Sequence, residues 1–339
     1  MVDPTPAILV VGPSWVGDMV MAQSLFKSLK ERRPAWAIDV LAPSWSRPLL
    51  ERMPEVRQGL SMPIGHGQFQ WGVRYRLGRA LRKARYREAI VLPNSWKSAL
   101  VPYWAGIPMR IGYRGEARWG LLTDSRTLNK AVLKMTVQRF VALGYPKDAS
   151  LPPPIREPKL VIDTQARARA LERLGIAAPE GPVLALCPGA EYGPAKRWPA
   201  AHFADVARAK LAQGWAVWLF GSDKDRAVAA EIQQALDGRG IDLTGKTQLG
   251  EAIDLMSLAE VVISNDSGLM HVAAALGRNL VALYGSSDPG FTPPLNANAR
   301  VLTLNLECSP CFQRECPLGH LKCLRDLDPG TVLRAISTF

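Results

Sequence analysis

Four loops carry residues whose types and spacing suit work on a phosphorylated ligand. In "SNDSGLMHVAAALG" a buried-looking strand ends at Asn265, and Asp266, Ser267 and Gly268 open a helix. Free N–H groups and the helix dipole make such a start an anion site. Gly268 lets a phosphate approach the backbone, and Ser267 can add a hydroxyl. Asp266 would repel a phosphate and fits better as an acceptor of sugar hydroxyls beside one. Asp or Ser at this point is equally read as a plain helix cap. His271, about one turn into the helix, either faces the same ligand or sits in the core. The second loop, "PGAEYGPAKRWPAAHF", runs from Pro188 to Phe203 and lacks the G-x-x-x-x-G-K-[ST] spacing of a Walker loop. Its Lys196 precedes a helix and could neutralise charge on a departing phosphate; the alternative is a solvated lysine.

Two further loops complete the set. In "GPSWVGDM", Gly12 and Gly17 make the chain permissive, and Asp18 stands at a helix start, as a general base or a simple cap. In "FGSDKDRA", Asp223 and Asp225 follow a strand, where an acidic residue can hold a ribose diol. No G-x-G-x-x-G occurs, which disfavours a standard nicotinamide-binding half.

Something must hold these loops, and the hydropathy pattern says what. Continuously apolar strands are expected at Ala7–Val11, Ala37–Pro43, Glu88–Pro93 and Met109–Tyr113, with helices between, the first closed by Pro34. Around Gly144 the rhythm breaks: "GYPKDASLPPPIREPKL" has five prolines and reads as a linker. After a helix near Asp163–Leu174 the rhythm restarts, with strands in "PVLALCPG", at Trp215–Ser222, Val261–Asp266 and Leu280–Ser286, and a last helix near Asp328–Ser337. Apolar strands alternating with helices imply parallel sheets covered on both faces. The expectation is α/β: two doubly wound domains, residues 1–155 and 156–339, facing across a cleft. Ligands in such sheets sit outside the carboxyl ends of the strands, where all four loops fall.

Composition narrows the partners. The chain has 339 residues, 47% apolar content and a formal charge of +12, which allows two cored domains and invites an anionic partner. Basic residues concentrate in "RYRLGRALRKARYR" (Arg74 to Arg87) and "RIGYRGEAR" (Arg110 to Arg118). No RNA-recognition or helix-turn-helix signature accompanies them, so nucleic acid is not expected. No apolar run approaches the ~20 residues of a membrane span. "MVDPTPAILVVG" has no basic segment before its short apolar stretch, so no signal peptide is expected and the protein reads as cytoplasmic.

Taken together, "VVGPSWVGDMVMAQSLF", "VLPNSWKSALVPYWAGIPMRIGYRGE", "CPGAEYGPAKRWP" and "SNDSGLMHVAAALGRNLVALYG" resemble the ADP-heptose:lipopolysaccharide heptosyltransferases of glycosyltransferase family 9, in particular the branch that adds the second heptose. The likeness covers the chain to about Pro294. It implies a GT-B fold of two Rossmann-like domains. It implies inverting transfer of L-glycero-D-manno-heptose from ADP-heptose to the first heptose of the lipopolysaccharide inner core, with no metal required for chemistry. Asp18 matches the family's proposed base, Lys196 its phosphate-contacting lysine, and Asp266, Ser267, Gly268 and His271 its donor-binding motif. Gly189, Ala190, Glu191, Asp223, Leu269 and Met270 join the donor-side candidates; Asn94, Lys97, Arg110, Arg114 and Arg118 are acceptor-side candidates. The acceptor, heptosyl-Kdo-lipid A, is anionic and membrane-bound, so peripheral contact with the inner membrane face is expected. The alternatives are the first-heptose enzyme or another GT-B nucleotide-sugar enzyme, and a non-catalytic nucleotide-binding or zinc-dependent interaction protein.

The resemblance does not account for "CSPCFQRECPLGHLKC". Cys308, Cys311, Cys316 and Cys323, with His320 among them, suggest a structural zinc site in a reducing compartment. A Cys₄ set comes first, His320 replacing one thiol is a variant, and free thiols or disulfides are the other states. Cys187, in an expected strand, reads as a buried hydrophobe.

Overall fold

A computed structural model describes residues 5–65 and 68–339. The first four residues of the N-terminal stretch discussed above lie outside the described residues. The chain divides into two compact units, the first ending at Pro158 and the second spanning Lys159–Phe339. Each is built around one six-stranded sheet.

In the first unit the strands are β1 (Ala7–Val11), β2 (Ala37–Pro43), β3 (Gln58–Met62), β4 (Glu88–Val91), β5 (Met109–Tyr113) and β6 (Asp124–Arg126). They pair in parallel in the order β3-β2-β1-β4-β5-β6. The second unit has β7 (Val183–Cys187), β8 (Ala216–Leu219), β9 (Ile241–Asp242), β10 (Val261–Asn265), β11 (Asn279–Leu283) and β12 (Ala299–Leu302). Their order, β12-β11-β10-β7-β8-β9, is again wholly parallel. Numbered within each unit, both sheets follow the Rossmann order 3-2-1-4-5-6. The order reverses between β1 and β4 in one unit and between β7 and β10 in the other.

The central strands are buried throughout, as Ile8, Leu9 and Val10, Leu184 and Leu186, and Val262 and Ile263 show. Parallel strands with both faces covered need such continuous apolar runs. Covering helices of eight or more residues are α1 (Val16–Arg32), α2 (Trp71–Leu81), α3 (Thr136–Leu143), α4 (Thr164–Leu174), α5 (Ala200–Ala212), α6 (Arg226–Ala235), α7 (Leu249–Met256), α8 (Gly268–Ala275) and α9 (Pro329–Ile336). Local chemistry sets several ends. Asp163 caps α4 by accepting from the Ala166 amide, and Gly175 closes it in the left-handed region at φ 66°. Asp328 caps α9 through Thr331, with Pro329 in the first turn. Helix α9 packs on α5 beneath the second sheet.

Candidate active site

The two loops flanking the switch point of the second sheet meet. After β7 the chain runs from Pro188 through a 3₁₀ turn at Pro194–Lys196 into α5. After β10 it passes Asp266 and Ser267 into α8. Lys196 Nζ lies 2.5 Å from Asp266 Oδ2, an ion pair whose side chains are only 17% and 5% exposed. The same ammonium stands 5.1 Å from the centre of the Tyr192 ring, close enough for a cation–π contact. The sequence placed these loops side by side; the contact between lysine and aspartate was not read from it.

Asn265 fixes this geometry. Its side-chain amide donates to the Pro188 carbonyl at 2.7 Å, and its Oδ1 accepts the Trp198 amide at 3.0 Å. One fully buried side chain thus ties both ends of the Lys196 loop to the end of β10. Sequence reasoning missed it, although the polar residue closing an apolar strand was the available signal. Trp198 anchors the loop from the other side, its indole N–H donating to the Leu327 carbonyl at 2.9 Å.

At the start of α8 no side chain caps the helix. Asp266 is turned to Lys196, and the Ser267 hydroxyl lies 3.3 Å from that of Ser264. Neither serves as the plain cap considered above. Ser267, Gly268 and Leu269 are part-exposed. Met270 is fully buried, so its side chain belongs to the core and only its backbone is left for a ligand. His271 is also buried. Burial, aided by the charge of Lys196 and opposed by Asp266, pushes its imidazole down to about 4, so it is neutral near pH 7.

The remaining donor-side candidates are divided. Gly189 sits where a Cβ would come within 2.4 Å of the Asp225 carboxylate, so the close approach of two loops demands glycine. Ala190 is buried, and its carbonyl accepts from Arg197 at 3.3 Å. Glu191 is exposed and paired with Lys224. Asp225 accepts from both the amide and the hydroxyl of Ser222, which makes it a turn cap and corrects its reading as a ribose ligand. Asp223 is exposed, on a surface pair with Arg226 at 2.8 Å.

In the first unit the switch-point loops follow β1 and β4. Asp18 lies in the first turn of α1, after an extended Trp15, and is part-exposed. Asn94 and Lys97 follow β4 and are exposed and part-exposed. Two of the three arginine candidates are corrected. Arg118 is 3% exposed, and its guanidinium is spent on the carbonyls of Tyr113 (3.0 Å) and Pro93 (2.8 Å) and on Asn94 Oδ1 (3.3 Å). Arg110 donates to the carbonyls of Leu121 and Ile107 at 2.6 and 2.5 Å and stacks over Tyr103. Burial lowers the pKa of both, yet a guanidinium remains charged at any working pH. They brace loops; Arg114 is the exposed one. Nearby lies an aromatic cluster the sequence reading passed over. Phe69 packs on Trp71 and Trp96, and Trp104 on Trp71 and Tyr75, with ring centres 4.7–5.7 Å apart.

The four tail cysteines are free thiols. They line one small cavity together with His320, Ser286 and Ala195. Among the described residues no three or more His, Cys, Asp or Glu side chains already stand as a metal-holding group. Cys187 is buried in β7, and burial pushes its thiol well above the usual range.

The model of glycosyltransferase family 9 (heptosyltransferase) matches residues 74–322. Lipopolysaccharide heptosyltransferase 2 of Escherichia coli strain K12 is 47% identical, over 97% of each chain. Lipooligosaccharide heptosyltransferase 2 of Haemophilus influenzae is 49% identical over 88% of each. The solved structure of E. coli ADP-heptose lps heptosyltransferase II superposes with a TM-score of 0.87 at 45% identity, covering 98% of both chains. With both sheets in Rossmann order and a lysine–aspartate pair at the second switch point, the chain belongs to glycosyltransferase family 9, the heptosyltransferases.

Proposed function

We infer that this protein is a lipopolysaccharide heptosyltransferase of the second-heptose type. It moves L-glycero-D-manno-heptose from ADP-heptose onto the first heptose of the inner core. The observation that carries the reading is the Lys196–Asp266 pair beside the uncapped start of α8, in a chain nearly half identical to relatives bearing that name.

The chemistry follows from charge. Leaving ADP gathers negative charge on its diphosphate while the sugar ring gains oxocarbenium character. The first-turn amides of α8 and the ammonium of Lys196 meet that charge. Asp266 holds the ammonium at the strand end before donor arrives, and its free oxygen is an acceptor for a sugar hydroxyl. Asp18 takes the proton from the attacking acceptor hydroxyl as the new glycosidic bond forms. Attack on the face opposite ADP inverts the anomeric centre. Because lysine and amides neutralise the diphosphate, turnover needs no added divalent cation, and a magnesium titration should leave the rate flat.

The acceptor lipid explains the charge distribution. Up to residue 158 the chain has 24 Lys and Arg against 11 Asp and Glu; beyond it, 18 against 19. Exposed Arg76, Arg79, Arg82, Lys83, Arg85 and Arg87 adjoin Trp71 and Tyr75, which are 53% and 44% exposed. Aromatic rings beside cations suit an anionic lipid interface. Among the described residues no helix is long and apolar enough to cross a membrane, and the reading is of peripheral contact at the inner leaflet from the cytoplasm.

The test is ADP release from ADP-heptose with an acceptor panel. Mono-heptosylated Kdo–lipid A should support release. Kdo–lipid A without heptose should not; activity on that acceptor alone would make this a first-heptose enzyme.

A further inference from the structure

We propose that Cys308, Cys311, Cys316 and Cys323 bind one thiophilic divalent cation, zinc in the first instance, and that this ion holds the Lys196 loop in its donor-binding shape. The second half of the proposal rests on the function inferred above; the first does not.

Three observations point to a metal. The four thiols, separated in sequence by 2, 4 and 6 residues, converge on a cavity of about 20 Å³, enough for one small occupant. The chain turns tightly after Cys316, with Gly319 and Leu321 in the left-handed region. That turn aims the backbone amides of Leu318, Gly319, His320 and Leu321 at the Cys316 sulfur. Amides converging on one sulfur stabilise a thiolate, the form that ligates metal. Third, the Ser286 hydroxyl lines the same cavity, is 1% exposed and has no hydrogen-bond partner. A ligating thiolate would give it an acceptor. His320 lines the cavity too, but its Nδ1 already accepts the Lys322 amide at 3.0 Å. The four-cysteine set is therefore favoured over the histidine variant. Binding draws the sulfurs together from the positions they hold as thiols and releases the thiol protons to solvent.

The cysteine segment is also the outer wall of the Lys196 loop. The Tyr192 hydroxyl donates to the Phe312 carbonyl at 2.7 Å, and the Ala195 amide donates to the Arg314 carbonyl at 3.0 Å. Arg314 stacks on the face of Tyr192 at 5.2 Å, on the ring that also meets Lys196. A Cβ on Gly193 would lie 2.4 Å from the Arg314 carbonyl. Phe312 and Arg314 lie between Cys311 and Cys316, so an ion joining those two sulfurs fixes the carbonyls that position Tyr192 and Ala195. Zinc here is structural, and its effect on the reaction passes through the place of Lys196.

The experiment measures metal first and function second. Full-length protein purified without chelator is assayed for zinc and iron, then reconstituted with cobalt(II). About one ion per chain, together with thiolate-to-cobalt charge-transfer absorption, is expected. Less than about 0.2 equivalents, against the single ion a Cys₄ site holds, overturns the proposal. The Cys308→Ser/Cys311→Ser variant should lose the metal, whereas Cys187→Ser should keep it; metal retained by the first variant also overturns the site. Because the double variant could fail to fold, wild-type protein is also stripped by thiol titration with a chelator and refilled with zinc. ADP affinity should fall at least tenfold on stripping and return on refilling. Unchanged ADP affinity overturns the positioning role. Metal content is read without any heptosyl transfer, so failure of the functional reading would leave the metal result standing.

Discussion

Lys196 is held by two partners of different kinds, the Asp266 carboxylate at 2.5 Å and the Tyr192 ring. On the mechanism proposed above, replacing it with alanine removes a cation from the leaving group. By analogy with loss of one oxyanion donor this should cost about 2.7–4 kcal/mol of barrier, a fall of roughly 100- to 1,000-fold in kcat. It also strands a buried carboxylate, which destabilises the fold. Lys196→Ala combined with Asp266→Ala should regain much of the thermal stability and none of the turnover. Equal stability in the single and double variants would show that the pair is not coupled. His271 gives a pH signature. Its folded pKa, about 4, lies below the unfolded value near 6.5. The unfolded state therefore binds more protons between these values, and stability falls as pH drops from about 6.5 to 4. His271→Gln should flatten denaturant midpoints across that window; an unaltered slope would mean that other groups carry the acid sensitivity.

The element that matters most is the loop from Pro188 to Trp198, tied at both ends by Asn265. Asn265→Ala leaves a buried carbonyl and a buried amide without partners, at about 1–3 kcal/mol each. It should lower the melting temperature and weaken ADP binding together. A variant with wild-type ADP affinity would remove Asn265 from the positioning of Lys196. How far such elements could be read beforehand depends on burial. The central strands were legible because covering both faces makes them continuously apolar, as in "AILVV" and "VLALC". Strands β3, β6, β9 and β12 were not; they are the sheet edges, and "QGLSM", "DSR", "ID" and "ARVL" are short, polar or half-exposed. Loop chemistry followed the same divide. Asp18, Lys196 and Asp266 lie in the segments that follow β1, β7 and β10, on the side where the Rossmann pattern puts ligands. Arg118 misled because a residue type says nothing of burial: an arginine in a basic run was expected to face an anion and instead holds three carbonyl or amide oxygens of its own loops.

At the scale of the molecule, the entire excess of positive charge belongs to the first unit, while the second carries one more acidic than basic residue. On the peripheral contact proposed above, such a field draws an anionic lipid surface to this unit, and salt screens it, with a Debye length near 10 Å at 0.1 M. Binding to vesicles containing phosphatidylglycerol should be strong at low salt and largely lost at about 0.5 M. Trp71→Ser with Tyr75→Ser should weaken it at every salt concentration; vesicle binding indifferent to both would place the lipid contact elsewhere. In the mechanism proposed above the proton acceptor, Asp18, belongs to the first unit and the leaving-group cation, Lys196, to the second. The most direct test is to measure ADP-heptose binding and acceptor-dependent turnover on one preparation of Asp18→Asn protein. Donor affinity should equal that of the wild type while turnover falls by about 10²- to 10⁴-fold, the usual contribution of a general base. Turnover at the wild-type rate would contradict the account.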